Sequence, residues 1–287
     1  MNAVDPGEFR DAQRESWDDA AKGWKKWSDW LDGLDGYSIA VCERLVELAG
    51  VEPGSRVLDV ACGYGEPALT AARKASPGGR VVATDISAEM LAYGRERAAT
   101  AGLDNVEFIE SDASALDFPA DSFDAALSRW GIIFEPDGEA AAARVRGFLK
   151  PGSRMAISSW GAPDRVPMIA RPMRTALERL DVPPPPQETP GPLSRPTPEA
   201  IGGLLEGGGF SDVEVEEVDL TFEWESPEEF SVYIQDIIAP IRKMVQAHPE
   251  DMQEEVWKAI ADDVRDESDD GGTLRLVNQV LMAVGQA

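Results

Sequence analysis

Residues 56–65, Arg-Val-Leu-Asp-Val-Ala-Cys-Gly-Tyr-Gly, place an apolar run, one carboxylate and two glycines within ten positions. Gly63 and Gly65 let the backbone turn sharply and approach a ligand with no Cβ in the way. Asp59 sets a negative charge near the end of the apolar run. About twenty residues beyond Gly65 a second apolar run, Arg80-Val-Val-Ala-Thr-Asp85, also ends in an acid, placed to accept both hydroxyls of a ribose. The chemistry implied is recognition of a nucleoside-bearing cofactor. Gly63-x-Gly65-x-x-Ala68 also satisfies the dinucleotide fingerprint, in which alanine can replace the third glycine. Asp59 argues against that reading, because a pyrophosphate seeks N–H donors and is repelled by a carboxylate, whereas a cationic ligand is attracted. An NAD-dependent oxidoreductase stands as the alternative.

The elements that position these residues alternate in type, as a doubly wound α/β sheet requires. Strands are predicted at 56–60, 80–85, 106–110, 122–129 and 153–160, with helices at about 37–49, 66–75, 87–100 and 138–148. Pro67 falls in the first turn of the second helix, where its missing N–H costs nothing. Ligands of such sheets collect at the carboxyl ends of the strands, which is where both acids fall. Residues 181–198 hold eight prolines and read as a stiff connector. Beyond it come a short helix at 199–207, an edge strand at 212–218, two helices over 227–266 broken near His248-Pro249, and a closing strand at 273–284.

Leu58-Asp59-Val60-Ala61-Cys62-Gly63-Tyr64-Gly65, Ala83-Thr84-Asp85-Ile86-Ser87, Glu110-Ser111-Asp112-Ala113 and Leu149-Lys150-Pro151-Gly152-Ser153 resemble, in order, the motifs of class I S-adenosylmethionine-dependent methyltransferases. The chain is most similar to the small-molecule group around the ubiquinone/menaquinone biosynthesis methyltransferases, strongly over residues 15–160. The resemblance implies a Rossmann-like, seven-stranded, mostly parallel sheet with helices on both faces and a helical cap. Four parts are expected: an N-terminal helical lid (1–50), a cofactor-binding core (51–161), a proline-rich connector (162–198), and the rest of the sheet with a substrate cap (199–287). S-adenosylmethionine, leaving as S-adenosylhomocysteine, would contact Asp59, Ala61, Gly63, Gly65, Asp85, Ile86, Met90, Asp112, Ala113, Arg129 and Trp24. Asp59 would face the ammonium group and Asp112 the adenine. Trp27, Tyr37, Trp130, Trp160 and Tyr233 are candidates for the acceptor pocket. A displacement of this kind requires no particular catalytic side chain, and none is assigned.

Trp17, Trp24, Trp27 and Trp30 are spaced for one face of an amphipathic helix. His248, the only histidine, stands where a helix ends and reads as a C-terminal cation rather than a base. No metal-ligand cluster is expected. Asp262, Asp263, Asp266, Glu267, Asp269 and Asp270 lack a calcium-loop pattern and read as a solvated face.

Composition narrows the partners. A formal charge of −26 disfavours nucleic acid, whose binding rests on basic contacts to phosphate. No apolar run reaches the length that spans a bilayer, no charged-then-apolar leader opens the chain, and two cysteines build no disulfide framework. A cytoplasmic monomer or homodimer acting on a small molecule is expected, with a non-catalytic cofactor-binding protein of the same fold as a further alternative.

Overall fold

The computed structural model describes residues 6–33, 36–186 and 189–287. Strands β1 (Arg56–Val60), β2 (Arg80–Asp85), β3 (Val106–Glu110), β4 (Phe123–Arg129) and β5 (Leu149–Trp160) run parallel. Strand β6 (Ser211–Trp224) and the last strand, β7 (Leu274–Gln286), complete a seven-stranded sheet in the order β3-β2-β1-β4-β5-β7-β6, with β7 antiparallel to both neighbours. The order reverses between β1 and β4. Strand alternation divides the core: Leu58 and Val60 pack with Ile201, Leu204 and Val145 on one side, whereas Val57, Ala125 and Leu127 pack with Leu45, Ala68 and Ala72 on the other.

Ten α-helices are present among the described residues: α1 (Pro6–Asp32), α2 (Ile39–Leu48), α3 (Ala68–Ala75), α4 (Ala88–Thr100), α5 (Gly138–Arg146), α6 (Pro167–Arg179), α7 (Pro198–Gly207), α8 (Pro227–Ile237), α9 (Ala239–Gln246) and α10 (Glu250–Asp263). Helices α8 to α10 form the expected insertion between β6 and β7. Helix α1 runs 27 residues and ends in the buried Asp32.

Four details differ from the sequence reading. The stretch 162–198 is not all connector, because α6 occupies Pro167–Arg179. Pro167 suits a first turn, and burial of Met168, Ile169, Thr175 and Ala176 holds the helix together despite Pro172 inside it. The insertion contains three helices rather than two. Pro240 is tolerated only near a helix start, so the chain breaks at Ile238 and begins again. Pro67 is the N-cap of α3 rather than a residue of its first turn. The acidic run is in part a docking face: Asp263, Asp266 and Glu267 pair with Arg171, and Asp263 also with Arg174, which ties the end of α10 to α6.

Candidate active site

The carboxyl ends of β1, β2, β3 and β4 converge beneath α1, at the point where strand order reverses. The turn after β1 has φ of 57° at Ala61, 53° at Gly63 and 109° at Gly65. At Gly63 the space a Cβ would fill is open. The Gly63 N–H donates to Asp85 at 2.7 Å, and the Ser87 N–H donates to the other Asp85 oxygen at 2.8 Å. Ser87 in turn caps α4, its hydroxyl accepting from the Met90 N–H at 3.1 Å. Asp85 thus braces the glycine turn from the end of β2. Burial drives its carboxyl up to about 6 against these two N–H donors, with the charge of Asp18 adding to the rise.

Asp59 is fully buried, and no hydrogen bond of ordinary geometry reaches either carboxylate oxygen. Burial pushes its carboxyl well above the usual range, only partly opposed by the Arg129 charge and the Ala68 N–H. The indole N–H groups of Trp24 and Trp130 are likewise buried without partners. Among the described residues, then, an acid and two donors near the turn lack a side-chain or backbone partner of ordinary geometry. Glu66 joins them. One of its oxygens accepts from the Thr70 N–H at 3.1 Å and hydroxyl at 2.7 Å, while the other has only the guanidinium of Arg73 at 3.5 Å and of Arg97 at 3.9 Å.

Helix α1 crosses the residues expected to hold adenosine. Arg10 pairs with Asp112 at 3.1 Å, while the other Asp112 oxygen accepts from the Ser114 N–H and hydroxyl. The Ser87 hydroxyl lies 2.6 Å from Asp18. Trp17 meets Phe134 edge-on, and Trp24 lies 5.5 Å from the Tyr64 ring. Ala113 and Met90 are buried nearby in the core, and Ile86 is half-buried at the end of β2. Glu135 was not foreseen: burial and the neighbouring Asp112 drive its carboxyl up to about 7, opposed by Arg10.

The Arg129 side chain is committed to α1. Its two terminal nitrogens bind the Asp32 carboxylate at 2.6 and 2.7 Å, and Tyr64 donates its hydroxyl to the same carboxylate. Ser38 adds a bond of 2.5 Å. Burial alone would raise the Asp32 carboxyl, but the Arg129 charge and these hydrogen bonds outweigh it and hold it below its ordinary value.

The five residues expected to line the acceptor pocket share one aromatic cluster. Trp130, with φ of 49°, stacks on Trp160 at 4.4 Å and 6° between planes. Trp160 reaches Phe222 at 6.4 Å, and Phe222, Trp224, Trp27, Trp30, Tyr37 and Tyr233 continue the contacts. Phe222 and Trp224 lie beyond the strand predicted for 212–218, although the alternation Thr221-Phe222-Glu223-Trp224 carries the same signal. Burial raises the hydroxyls of Tyr37 and Tyr233, so neither is a base at neutral pH. His248 follows the end of α9, its N–H donating to the Val245 carbonyl at 3.1 Å. Among the described residues no group of three His, Cys, Asp or Glu side chains is arranged to hold a metal. A cleft of about 260 Å³ beside Arg56, Arg80 and Asn105 lies at the opposite end of the sheet.

Residues 57–152 match a family described as Methyltransferase domain. Over these residues the chain is similar to a methyltransferase domain. The chain is 39% identical over 143 residues to the uncharacterized protein Rv1405c of Mycobacterium tuberculosis, covering 49% of this chain and 50% of the relative. It is 39% identical over 119 residues to the ubiquinone/menaquinone biosynthesis C-methyltransferase UbiE of Pseudomonas putida, covering 41% of this chain and 46% of that protein. The chain thus spans about half the length of the curated relatives it matches. Among solved structures, phosphoethanolamine N-methyltransferase 2 of Haemonchus contortus, in complex with S-adenosyl-L-methionine, matches with a TM-score of 0.58 at 20% identity, over 99% of this chain and 60% of that one. The YcgJ protein of Bacillus subtilis matches with a TM-score of 0.57 at 18% identity, over 86% and 98%. These likenesses establish the fold.

Proposed function

We propose that the chain moves a methyl group from S-adenosylmethionine to an oxygen, nitrogen or carbon atom of a small, partly apolar metabolite. The observation that carries the proposal is Asp59, a fully buried carboxyl that no hydrogen bond of ordinary geometry reaches, beside a turn whose Gly63 faces open space. Burial disfavours the ionised form of this carboxyl, and a cationic ligand is the partner that would favour it. The cofactor supplies a methyl group on a positively charged sulfur, already activated for displacement.

The chain's own residues then bind, orient and exclude water. Asp59 would hold the ammonium group, with Ala61, Gly63 and Gly65 giving it a close backbone approach. Asp85, already braced by two N–H donors, would accept ribose hydroxyls. Asp112, Ala113, Ile86 and Met90 would surround the adenine, while Trp24 and the backbone at Arg129 would close the methyl-bearing end. The aromatic wall from Trp130 to Tyr233 would align the acceptor in the near-attack geometry of about 3 Å that displacement needs. With the tyrosines held protonated, the acceptor would ionise by itself or release its proton to water after transfer.

The relatives support more than one acceptor atom, since one is named a C-methyltransferase and another an N-methyltransferase. The charge of −26 supports a partner other than nucleic acid, and no described helix is long and apolar enough to cross a membrane. The test is release of S-adenosylhomocysteine from S-adenosylmethionine in the presence of panels of phenols, amines and carbon acids. Turnover with one panel is expected. Binding without turnover across all panels would favour a non-catalytic cofactor-binding protein.

A further inference from the structure

Beside its ties to α4 (Lys25 to Glu96, Ser28 to Tyr93) and α9 (Asp19 to Arg242), α1 makes three polar contacts with the strand ends and loops of the cofactor site, and these differ in kind. The pair between Arg10 and Asp112 leaves 34% and 12% of its side chains exposed, and the contact between Asp18 and Ser87 is a single hydrogen bond. The third, at the opposite end of the helix, is the clasp of Asp32 with Arg129, 0% and 6% exposed, closed by Ser38 and Tyr64. It joins residues 97 apart in sequence. Tyr64 sits between Gly63 and Gly65, so the clasp grips the turn itself.

We propose that Asp32 and Tyr64 are positioning residues for the cofactor site: the clasp is the fixed anchor from which α1 closes over the adenosine, and the outer ties release to let it in. This rests on the cofactor reading above. Asp112, and Asp85 next to Ser87, are the residues expected to take adenine and ribose, so the outer ties occupy the cofactor's own partners and must yield to it. The polar bonds of the anchor run between Asp32, Ser38, Tyr64 and Arg129 and reach none of the residues assigned to adenosine, although the Tyr64 ring packs with Ala21 and Met90, so the clasp can stay shut while the far end lifts. The two ends differ energetically, because each outer tie is a single contact that involves a partly exposed side chain, whereas the clasp is a wholly buried, multiply bonded ion pair that leaves an uncompensated charge once broken. The chain reversal after α1 is held to the same place, the Ser38 N–H donating to Leu31 O at 2.8 Å and the Tyr37 N–H to Trp30 O at 3.2 Å.

The experiment is hydrogen exchange on the ligand-free full chain, together with the dissociation rate of S-adenosylhomocysteine, for wild type, Tyr64→Phe and Asp32→Asn. Tyr64→Phe removes the hydroxyl's bond to Asp32 and the long one it accepts from Arg129 at 3.4 Å, so it keeps the test sound where Asp32→Asn fails to fold. Amides of residues 17–31 should exchange about tenfold faster in Tyr64→Phe, the shift expected for one hydrogen bond to a charged group, with β4 and β5 unchanged. S-adenosylhomocysteine should leave faster by a similar factor. Unchanged exchange in α1, or an equal rise in α1 and the central strands, would overturn the proposal. Faster α1 exchange with an unaltered dissociation rate would overturn it too, since the clasp would then not position the site. If wild type fails to bind S-adenosylhomocysteine, the proposed function falls, while the ligand-free exchange still decides whether the clasp anchors α1.

Discussion

Replacing Asp59 with asparagine should stabilise the ligand-free protein and remove its affinity for the cofactor. The side chain is 0% exposed, no hydrogen bond of ordinary geometry reaches either oxygen, and burial holds its carboxyl well above the usual range against the Arg129 charge and the Ala68 N–H. A buried unsatisfied polar group costs about 1–3 kcal/mol and a charged one more. Asparagine keeps the shape and part of that cost, so a net gain of about 1–2 kcal/mol is expected, which for a chain this size is about 2–4 °C in Tm. The gain depends on pH with a definite sign. Below pH 3.8 the acid is protonated folded and unfolded, and the two proteins should differ least. Above it the unfolded chain gives up its proton first, so wild type loses stability as pH rises and the advantage of the variant widens. Binding should move the other way. An ion pair at about 4 Å in partly buried surroundings is worth about 4 kcal/mol, so the affinity for S-adenosylmethionine should fall at least about a hundredfold. Calorimetric titration and thermal unfolding from pH 4 to 8 measure both. A lower Tm for Asp59→Asn with undiminished affinity would refute the reasoning, because Asp59 would then be a structural acid with a partner.

Other outcomes follow from neighbouring residues. Asp85, raised from 3.8 to about 6 chiefly by burial, should make stability fall by about 3 kcal/mol between those pH values and level off above, whereas Asp85→Asn should give a flatter Tm profile. Gly63→Ala should cost about 1–2 kcal/mol for a side chain at positive φ and a larger loss of cofactor affinity, since its methyl enters the open space; unfolding and titration separate the two. Trp130→Ala should lower turnover more than tenfold while S-adenosylhomocysteine affinity changes only a few-fold, because the ring stacks on Trp160 in the aromatic wall; initial rates with a cognate acceptor decide this.

The strands and the cofactor turn were legible because they are local. β1, β2 and β3 lie on the residues that apolar runs and turn residues mark, and Asp59 and Asp85 fall at strand ends by spacing alone. Asp32 was not legible: an acid at the end of a helix is ordinary until Arg129, 97 residues away, meets it. Glu135 and Asp18 acquire meaning only where α1 meets the sheet. Helix α6 was hidden by its two prolines, whose local cost is overridden by burial. The aromatic wall was half legible. Trp27, Tyr37, Trp130, Trp160 and Tyr233 were candidates by type, but only the pairing of β6 with β7 brings Phe222 and Trp224 between them.

The most direct test is calorimetric titration of the wild-type protein with S-adenosylmethionine, S-adenosylhomocysteine and NADH, with Asp85→Ala alongside. Saturable binding of the first two, lost in the variant and absent for NADH, is the result the account predicts. Folded protein that ignores both sulfur ligands, or that binds NADH as well, would contradict it.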